Sequence, residues 1–245
     1  MTDRNEFSEK FASALTKNGL ADFISAEICE KFFTLTERML TVNEYMNLTA
    51  IRDIDGVIVK HYVDSLTVAK YIPEGSSLID IGCGAGFPSL PLALVRPDIK
   101  ITALDSTAKR INYIRETAEQ LALSNITAIS ARAEEIAHEP DFRENYDIAC
   151  ARAVARLNVL SELCMGFVKC GGHFIAMKAN AANELSEAEC AIKKLGGKLI
   201  SSYVFPLLSL TDDEGEARCI VIVEKIENTP KNYPRNNSQI KKKPL

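Results

Sequence analysis

Between Ser77 and Phe87 the chain reads Ser-Leu-Ile-Asp-Ile-Gly-Cys-Gly-Ala-Gly-Phe. Leu78, Ile79 and Ile81 make a short apolar run, glycines alternate at Gly82, Gly84 and Gly86, and a helical pattern opens at Phe87-Pro88. Proline is tolerated there because the first helical turn has no use for its missing N–H. A strand, glycine loop and helix in this order let a ligand approach bare backbone. The spacing is D-x-G-x-G-x-G, whereas a dinucleotide fingerprint G-x-G-x-x-G would need its third glycine at Phe87. Three further groups follow at the ends of later apolar runs. Asp105 closes the second run, where a carboxylate can accept hydrogen bonds from both hydroxyls of a ribose or cap the helix beginning near Thr107. Ser130-Ala131-Arg132-Ala133-Glu134 closes the third, where backbone N–H groups and a carboxylate could read an adenine edge. Cys150-Ala151-Arg152 closes the fourth, beside the place a transferable group would occupy. Glycine loop, acid and second acid in this order point to a nucleotide-type cofactor.

Residues so spaced need a scaffold, and the hydrophobic pattern supplies one. The strand candidates are 78–81, 99–104, 126–130, 146–151 and 173–178, with helical patterns at 89–95, 107–121, 157–168 and 181–195 between them. Such alternation implies right-handed crossovers and a parallel sheet covered on both faces. Two last runs, 198–208 and 217–226, are not separated by a helix and predict a hairpin that adds an antiparallel strand. Before the glycine loop the chain reads as helical: Phe7, Phe11 and Leu15, then Ile24, Ile28 and Phe32, recur every four positions. A third helix is expected over about 55–71. The expected division is a helical extension over 1–75, a cofactor-binding domain over 76–227 and a basic tail over 228–245.

The chain has 245 residues, 47% hydrophobic and 25% charged, which suits one ordinary globular core. No apolar run approaches the roughly 18 residues of a membrane span, and the start lacks a basic-then-apolar leader. The seven cysteines are odd in number, with none at C-x-x-C spacing. Reduced buried thiols, no metal and a cytoplasmic location are therefore expected. The net charge of −4 hides an uneven distribution. From Asn228 onward there are five cations and no acid, a tail that reads either as a frayed terminus or as a phosphate-seeking arm. Only this tail looks poor in order.

The D-x-G-x-G-x-G loop resembles the first motif of Rossmann-like S-adenosylmethionine-dependent methyltransferases, and no Tyr-x-x-x-Lys pair supports a dehydrogenase. No cysteine is placed for attack through a pyrimidine carbon, and there is no Pro-Pro stretch of the kind used in amino-group methylation. A guanine N7 makes the simplest demand. Its lone pair lies in the ring plane and carries no proton, so alignment with the methyl can supply most of the acceleration. A methyltransferase for a small molecule or protein, or a binder without activity, stays open on the residues alone.

A wider set of motifs resembles the bacterial 16S rRNA guanine-N7 methyltransferase family (small subunit methyltransferase G, or glucose-inhibited division protein B). These are Asn47-Leu48-Thr49-Ala50-Ile51-Arg52-Asp53, Lys60-His61-Tyr62-Val63-Asp64-Ser65-Leu66, Gly84-Ala85-Gly86-Phe87-Pro88, Leu104-Asp105-Ser106, Arg132-Ala133-Glu134-Glu135, Ala151-Arg152-Ala153 and Met177-Lys178. The resemblance implies an α/β Rossmann-like class I fold, with a mostly parallel seven-stranded sheet, helices on both faces and the N-terminal helical extension. It implies S-adenosylmethionine as cofactor, S-adenosylhomocysteine as product, and 16S rRNA or the small ribosomal subunit as partner. Neither a membrane nor an obligate protein partner is indicated. Carried over by position, Gly82 and Phe87 line the cofactor pocket, Ala133 and Glu134 meet the adenosine, and Arg152 lies at the catalytic site. Loop geometry and ribose chemistry add Asp80, Gly84, Gly86 and Asp105. Candidate RNA contacts are Asn47, Arg52, His61, Lys109, Arg110, Arg132 and Lys178; His61 by itself more often reads as a helix-packing residue, and its motif turns it toward the RNA. Cys83, Ser89 and Ala151 stand where the family usually has serine or threonine, glycine, and serine.

Overall fold

The computed structural model describes residues 3–152, 154–211 and 214–245, so Ala153 of the quoted motifs lies outside the described residues. Seven strands form one sheet in the order β3-β2-β1-β4-β5-β7-β6. They are β1 (Ser77–Ile81), β2 (Lys100–Asp105), β3 (Ile126–Ser130), β4 (Tyr146–Arg152), β5 (Val168–Lys178), β6 (Gly197–Leu207) and β7 (Glu216–Lys225). Pairings from β3 through β5 are parallel, and β7 runs antiparallel to both β5 and β6. The chain order reverses at β1, which pairs with β2 on one side and β4 on the other. That reversal opens a crevice at the carboxyl ends of the strands, where a ligand can enter.

Successive side chains of a strand face opposite ways, so a strand buried on both faces is apolar throughout. On one face, Leu78, Ile101, Ile148, Cys150 and Ile175 share a buried cluster with Val68, Ala69 and Ile72. On the other, Ile79, Ile81, Ala149, Ala151 and Phe174 pack under helices α8 (Leu157–Cys164) and α9 (Ala182–Lys194). The N-terminal helices α1 (Arg4–Lys17) and α2 (Ala26–Met46) bring Phe7, Phe11, Leu15, Phe32 and Leu35 into a third cluster. That cluster continues through Phe87, Ala103, Ile111 and Ile114, on α6 (Ala108–Gln120) and the sheet beneath it.

Three expectations need correction. The helix expected over 55–71 is a chain of short pieces: α3 (Ile54–Gly56), a π-helical Val57–Val63, α4 (Asp64–Leu66) and a 3₁₀ turn at Ala69–Tyr71. A π segment leaves the four-residue apolar spacing intact, so the periodicity could not reveal it, and such segments cluster at functional sites. Strand β5 begins at Val168, well before His173, because Gly171-Gly172 lies within it rather than ahead of it. A Cβ at Gly172 would come within 2.5 Å of the Asp147 carbonyl, so the close approach of β4 requires glycine there. Finally, the basic tail is folded. Tyr233 and Ile240 are buried, α10 (Asn237–Lys242) is helical, and Arg235 grips Glu162 of α8.

Candidate active site

Most of the expected cofactor residues converge on one cleft of about 490 Å³ at the carboxyl edge of β1, β2, β3 and β4. Gly82, Gly84 and Phe87 come from the glycine loop, Asp105 from β2, Ala133 and Glu134 from α7 (Ala133–Ile136), and Arg152 from β4. The loop is tied down by its own amides. Gly82 and Cys83 N–H donate to the Leu104 carbonyl at 2.8 and 3.0 Å, and Gly84 N–H donates to Asp105 Oδ2 at 3.1 Å. Asp105 Oδ1 accepts from Thr107 N–H at 2.8 Å, so this carboxylate joins the loop to the start of α6 while lining the cleft. The capping role considered for Asp105 is therefore filled, and the carboxylate still lines the cleft. A carboxylate has about four lone-pair sites, so two remain for a ligand.

Positive φ makes glycine necessary at Gly84 (φ +58°), and a Cβ there would meet only the Gly82 carbonyl, 3.9 Å away, before projecting into open space. Gly86 is different. It does not line the cleft, and a Cβ on it would lie 2.6 Å from Leu90. It serves the packing of α5 (Ser89–Val95), which corrects its assignment as a cofactor contact.

Asp80 requires a similar correction. Strand alternation turns its side chain into the interior, where it is fully buried and Oδ2 accepts from Ser89 Oγ at 2.5 Å. Its Oδ1 has no partner. Asp80 thus anchors α5 beneath the loop without reaching the cleft, through a bond that a glycine at position 89 could not make. Burial raises its pKa to about 6, against the opposing effects of Ser89 and Arg152. A folded pKa above the unfolded value means that the native state binds more protons between about pH 4 and 6, so Asp80 withdraws stability as pH rises through that window. The loss approaches about 3 kcal/mol once pH exceeds both values. Asp80→Asn should therefore gain stability relative to the wild type from pH 4 to pH 6.5 in urea melts; a constant difference across that range would show the carboxyl to be ionised throughout.

The remaining wall comes from the N-terminal region. Asn43 holds Thr49 by both backbone groups (2.9 and 3.0 Å), and Thr49 Oγ1 meets His61 Nε2 at 2.8 Å. The His61 ring stacks on Phe87 with centroids 4.5 Å apart and planes 4° from parallel. Burial and the nearby Arg152 charge lower the His61 pKa to about 4, so it is neutral at pH 7. Arg152 lies over the same Phe87 ring at 5.4 Å, and its Nη1 donates to Lys60 O and Asp64 Oδ2 at 2.9 and 3.0 Å. Asp64 Oδ1 accepts from Arg218 Nε at 3.0 Å, giving an Arg–Asp–Arg arrangement. Sequence reasoning overlooked Arg218, which β7 carries far from every motif. It quoted Asp64 within a motif without assigning it this role.

The expected RNA contacts divide. Asn47, Arg52, Lys109 and Arg132 are exposed, and Arg110 is partly exposed at the cleft beside Asp105. His61 and Lys178 depart from that expectation: His61 is buried in the cleft wall, and Lys178 donates to Ala155 O at 2.7 Å and pairs with Glu184 at 2.9 Å. Both do internal work.

The cleft suits a nucleoside-bearing group. Glu134 lines the cleft and is buried, and its Oε1 has no hydrogen-bond partner; it forms only a long ion pair with Arg132 Nη1, 3.6 Å away. Such an orphaned acceptor is costly unless a ligand donor meets it. Among the described residues no cluster of His, Cys, Asp or Glu could hold a metal ion, and no helix is long and apolar enough to cross a membrane.

Residues 28–205 match the family model described as rRNA small subunit methyltransferase G. The chain belongs to that family. Curated members named ribosomal RNA small subunit methyltransferase G include one from Brevibacillus brevis, 45% identical over 97% of this chain and 98% of its own length. Another, from Lactobacillus delbrueckii subsp. bulgaricus, is 41% identical over 97% and 99%. Among solved structures, a SAM-dependent O-methyltransferase from Thermotoga maritima aligns with a TM-score of 0.54 at 17% identity, over 80% of this chain and 72% of that one. M. jannaschii TYW2 in complex with AdoMet gives 0.51 at 17% identity, over 66% and 77%. At such low identity the likeness concerns architecture, and the family member has the Rossmann-like methyltransferase fold expected from its motifs.

Proposed function

We propose that this protein transfers the methyl group of S-adenosylmethionine to N7 of a guanine in 16S rRNA, leaving S-adenosylhomocysteine. The observation that carries the reading is the cleft that gathers the glycine loop, Asp105 and Glu134 at the carboxyl edge of the sheet. Glu134 offers an unpartnered acceptor for adenosine N–H, and as first-turn residues of α7 Ala133 and Glu134 have amides with no partner inside the helix. Asp105 presents its free lone pairs to ribose hydroxyls.

The cofactor supplies an electrophilic methyl on a sulfonium. The protein's task is to hold that carbon in line with an in-plane lone pair, since N7 has no proton to lose. The side chains at the far wall suit this. His61, with a pKa near 4, is a poor proton acceptor, and Asp64 is committed to two arginines. Phe87, pinned between His61 and the Arg152 guanidinium, is a rigid apolar surface that excludes water from the reacting atoms. Arg152, itself fixed by Asp64, lines the cleft and is the residue assigned to the reacting end.

Family membership and full-length similarity to proteins named for small-subunit rRNA support the acceptor class. The test is transfer of labelled methyl to 16S rRNA or small subunits from cells lacking the enzyme, with the label mapped by N7-specific strand scission. Label at a single guanine N7 is expected. Label at another atom, on protein or on a small metabolite would replace this reading.

A further inference from the structure

Three cations at the catalytic edge are already neutralised. Arg152 pairs with Asp64, Arg156 with Glu187, and Lys178 with Glu184. An RNA backbone brought to this edge needs other cations. Besides the exposed Lys109 and Arg132, the folded tail provides three. Lys241, Lys242 and Lys243 are exposed and have no ion-pair partner among the described residues.

Their position is held with care. Arg235 donates from Nε, Nη2 and its own backbone N–H to Glu162, whose side chain is wholly buried, at 2.8, 2.6 and 2.9 Å. Arg235 Nη1 also donates to the Lys243 carbonyl at 3.1 Å, which folds α10 back on the clamp. Ile240 is buried from the same short helix, and Asn158, in the first turn of α8, donates to the Leu245 carbonyl at 3.1 Å. The start of α8 follows β4, so the tail returns to the carboxyl edge of the sheet. Asn237, the first residue of α10, lines the cofactor cleft together with Arg132. The short helix that leads to the three lysines therefore starts at the cleft and is anchored on α8, and the chain around them has no acid from Asn228 onward.

We propose that α10 and its closing lysines, Lys241, Lys242 and Lys243, are a phosphate-binding rim that docks the RNA backbone beside the cofactor cleft. The proposal rests on rRNA being the acceptor and deepens that reading. Phosphate contacts fix register without reading sequence, so three lysines on a rigid support suit this task. Each neutralised phosphate releases condensed counterions, which makes the contribution measurable through salt.

The test uses the full-length K241Q/K242Q/K243Q variant and a fluorescent 16S rRNA transcript. Relative to wild type, the slope of log K against log salt should shrink by about 2, and affinity at 0.1 M salt should fall roughly 10- to 100-fold. S-adenosylmethionine affinity and melting temperature should stay at wild-type values. A lowered melting temperature with unchanged RNA binding would make the lysines merely helix-terminal, and an unchanged salt slope with unchanged affinity would also overturn the rim. Tighter loss of binding to anionic phosphatidylserine vesicles than to RNA would assign the patch to a membrane surface instead. Wild-type methyl transfer to the same RNA separates the two readings. Transfer by wild type with an indifferent variant refutes the rim alone, whereas failure of wild type to methylate RNA removes the acceptor assignment beneath it.

Discussion

Arg235→Ala should cost the native chain about 3–5 kcal/mol, the range for removing one partner of a buried ion pair. Glu162 is fully buried and takes three hydrogen bonds from Arg235, two from the guanidinium and one from the backbone. Alanine keeps only the backbone bond and strands a carboxylate in the interior of α8. The loss has a ceiling, because the tail can peel away and return Glu162 to water. Peeling exposes Tyr233 and Ile240, each worth about 1.5–3 kcal/mol of burial, so the ceiling lies near the same range. For a chain of this size the melting temperature should fall by about 10 °C, at roughly 2–4 °C per kcal/mol. Replacing both residues with apolar side chains, as in Arg235→Met with Glu162→Leu, should restore much of the loss, since the desolvation cost vanishes with the charges. A single variant that melts within 2 °C of wild type would show the tail to be detached in solution.

That clamp also shows where sequence reading stops. The strands of the parallel sheet were legible because strands covered on both faces carry short apolar runs, as Leu78, Ile79 and Ile81 do in β1 and Ile148, Ala149, Cys150 and Ala151 do in β4. The glycine loop was legible because Gly84 needs positive φ and open space. Asp80 misled for a structural reason. It belongs to the motif by spacing, yet strand alternation places it on the Leu78 face, under the loop and away from the cleft. Gly86 misled likewise, since a glycine required by a neighbouring leucine looks the same in sequence as one required by a ligand. The tail looked frayed because its composition is polar. Its order depends on Glu162, a charged residue buried in α8 between Ser161 and Cys164, and no local pattern joins the two. The Asp64–Arg218 pair was hidden by the same long separation, and the π segment by being only 7 residues long, too short for its wider turn to displace the four-residue apolar spacing.

Asp105→Ala should weaken S-adenosylmethionine binding by one to two orders of magnitude in calorimetry. The carboxylate would contribute charged hydrogen bonds to the ribose worth about 1.5–3 kcal/mol, which converts to that range of dissociation constants. Asp105 also holds Gly84 N–H and Thr107 N–H, so the substitution could act by loosening the loop rather than by losing a ligand contact. Asp105→Asn distinguishes the two. Asparagine keeps one acceptor for the loop amides but replaces the other oxygen with donors, which cannot receive ribose hydroxyls. If the ligand contact dominates, the asparagine variant should retain most of the wild-type melting temperature and still lose most of the affinity. If loop anchoring dominates, affinity and melting temperature should fall together in alanine and recover together in asparagine. Wild-type affinity in both variants would move the ribose-binding role from β2 to the other carboxylate in the cleft, Glu134.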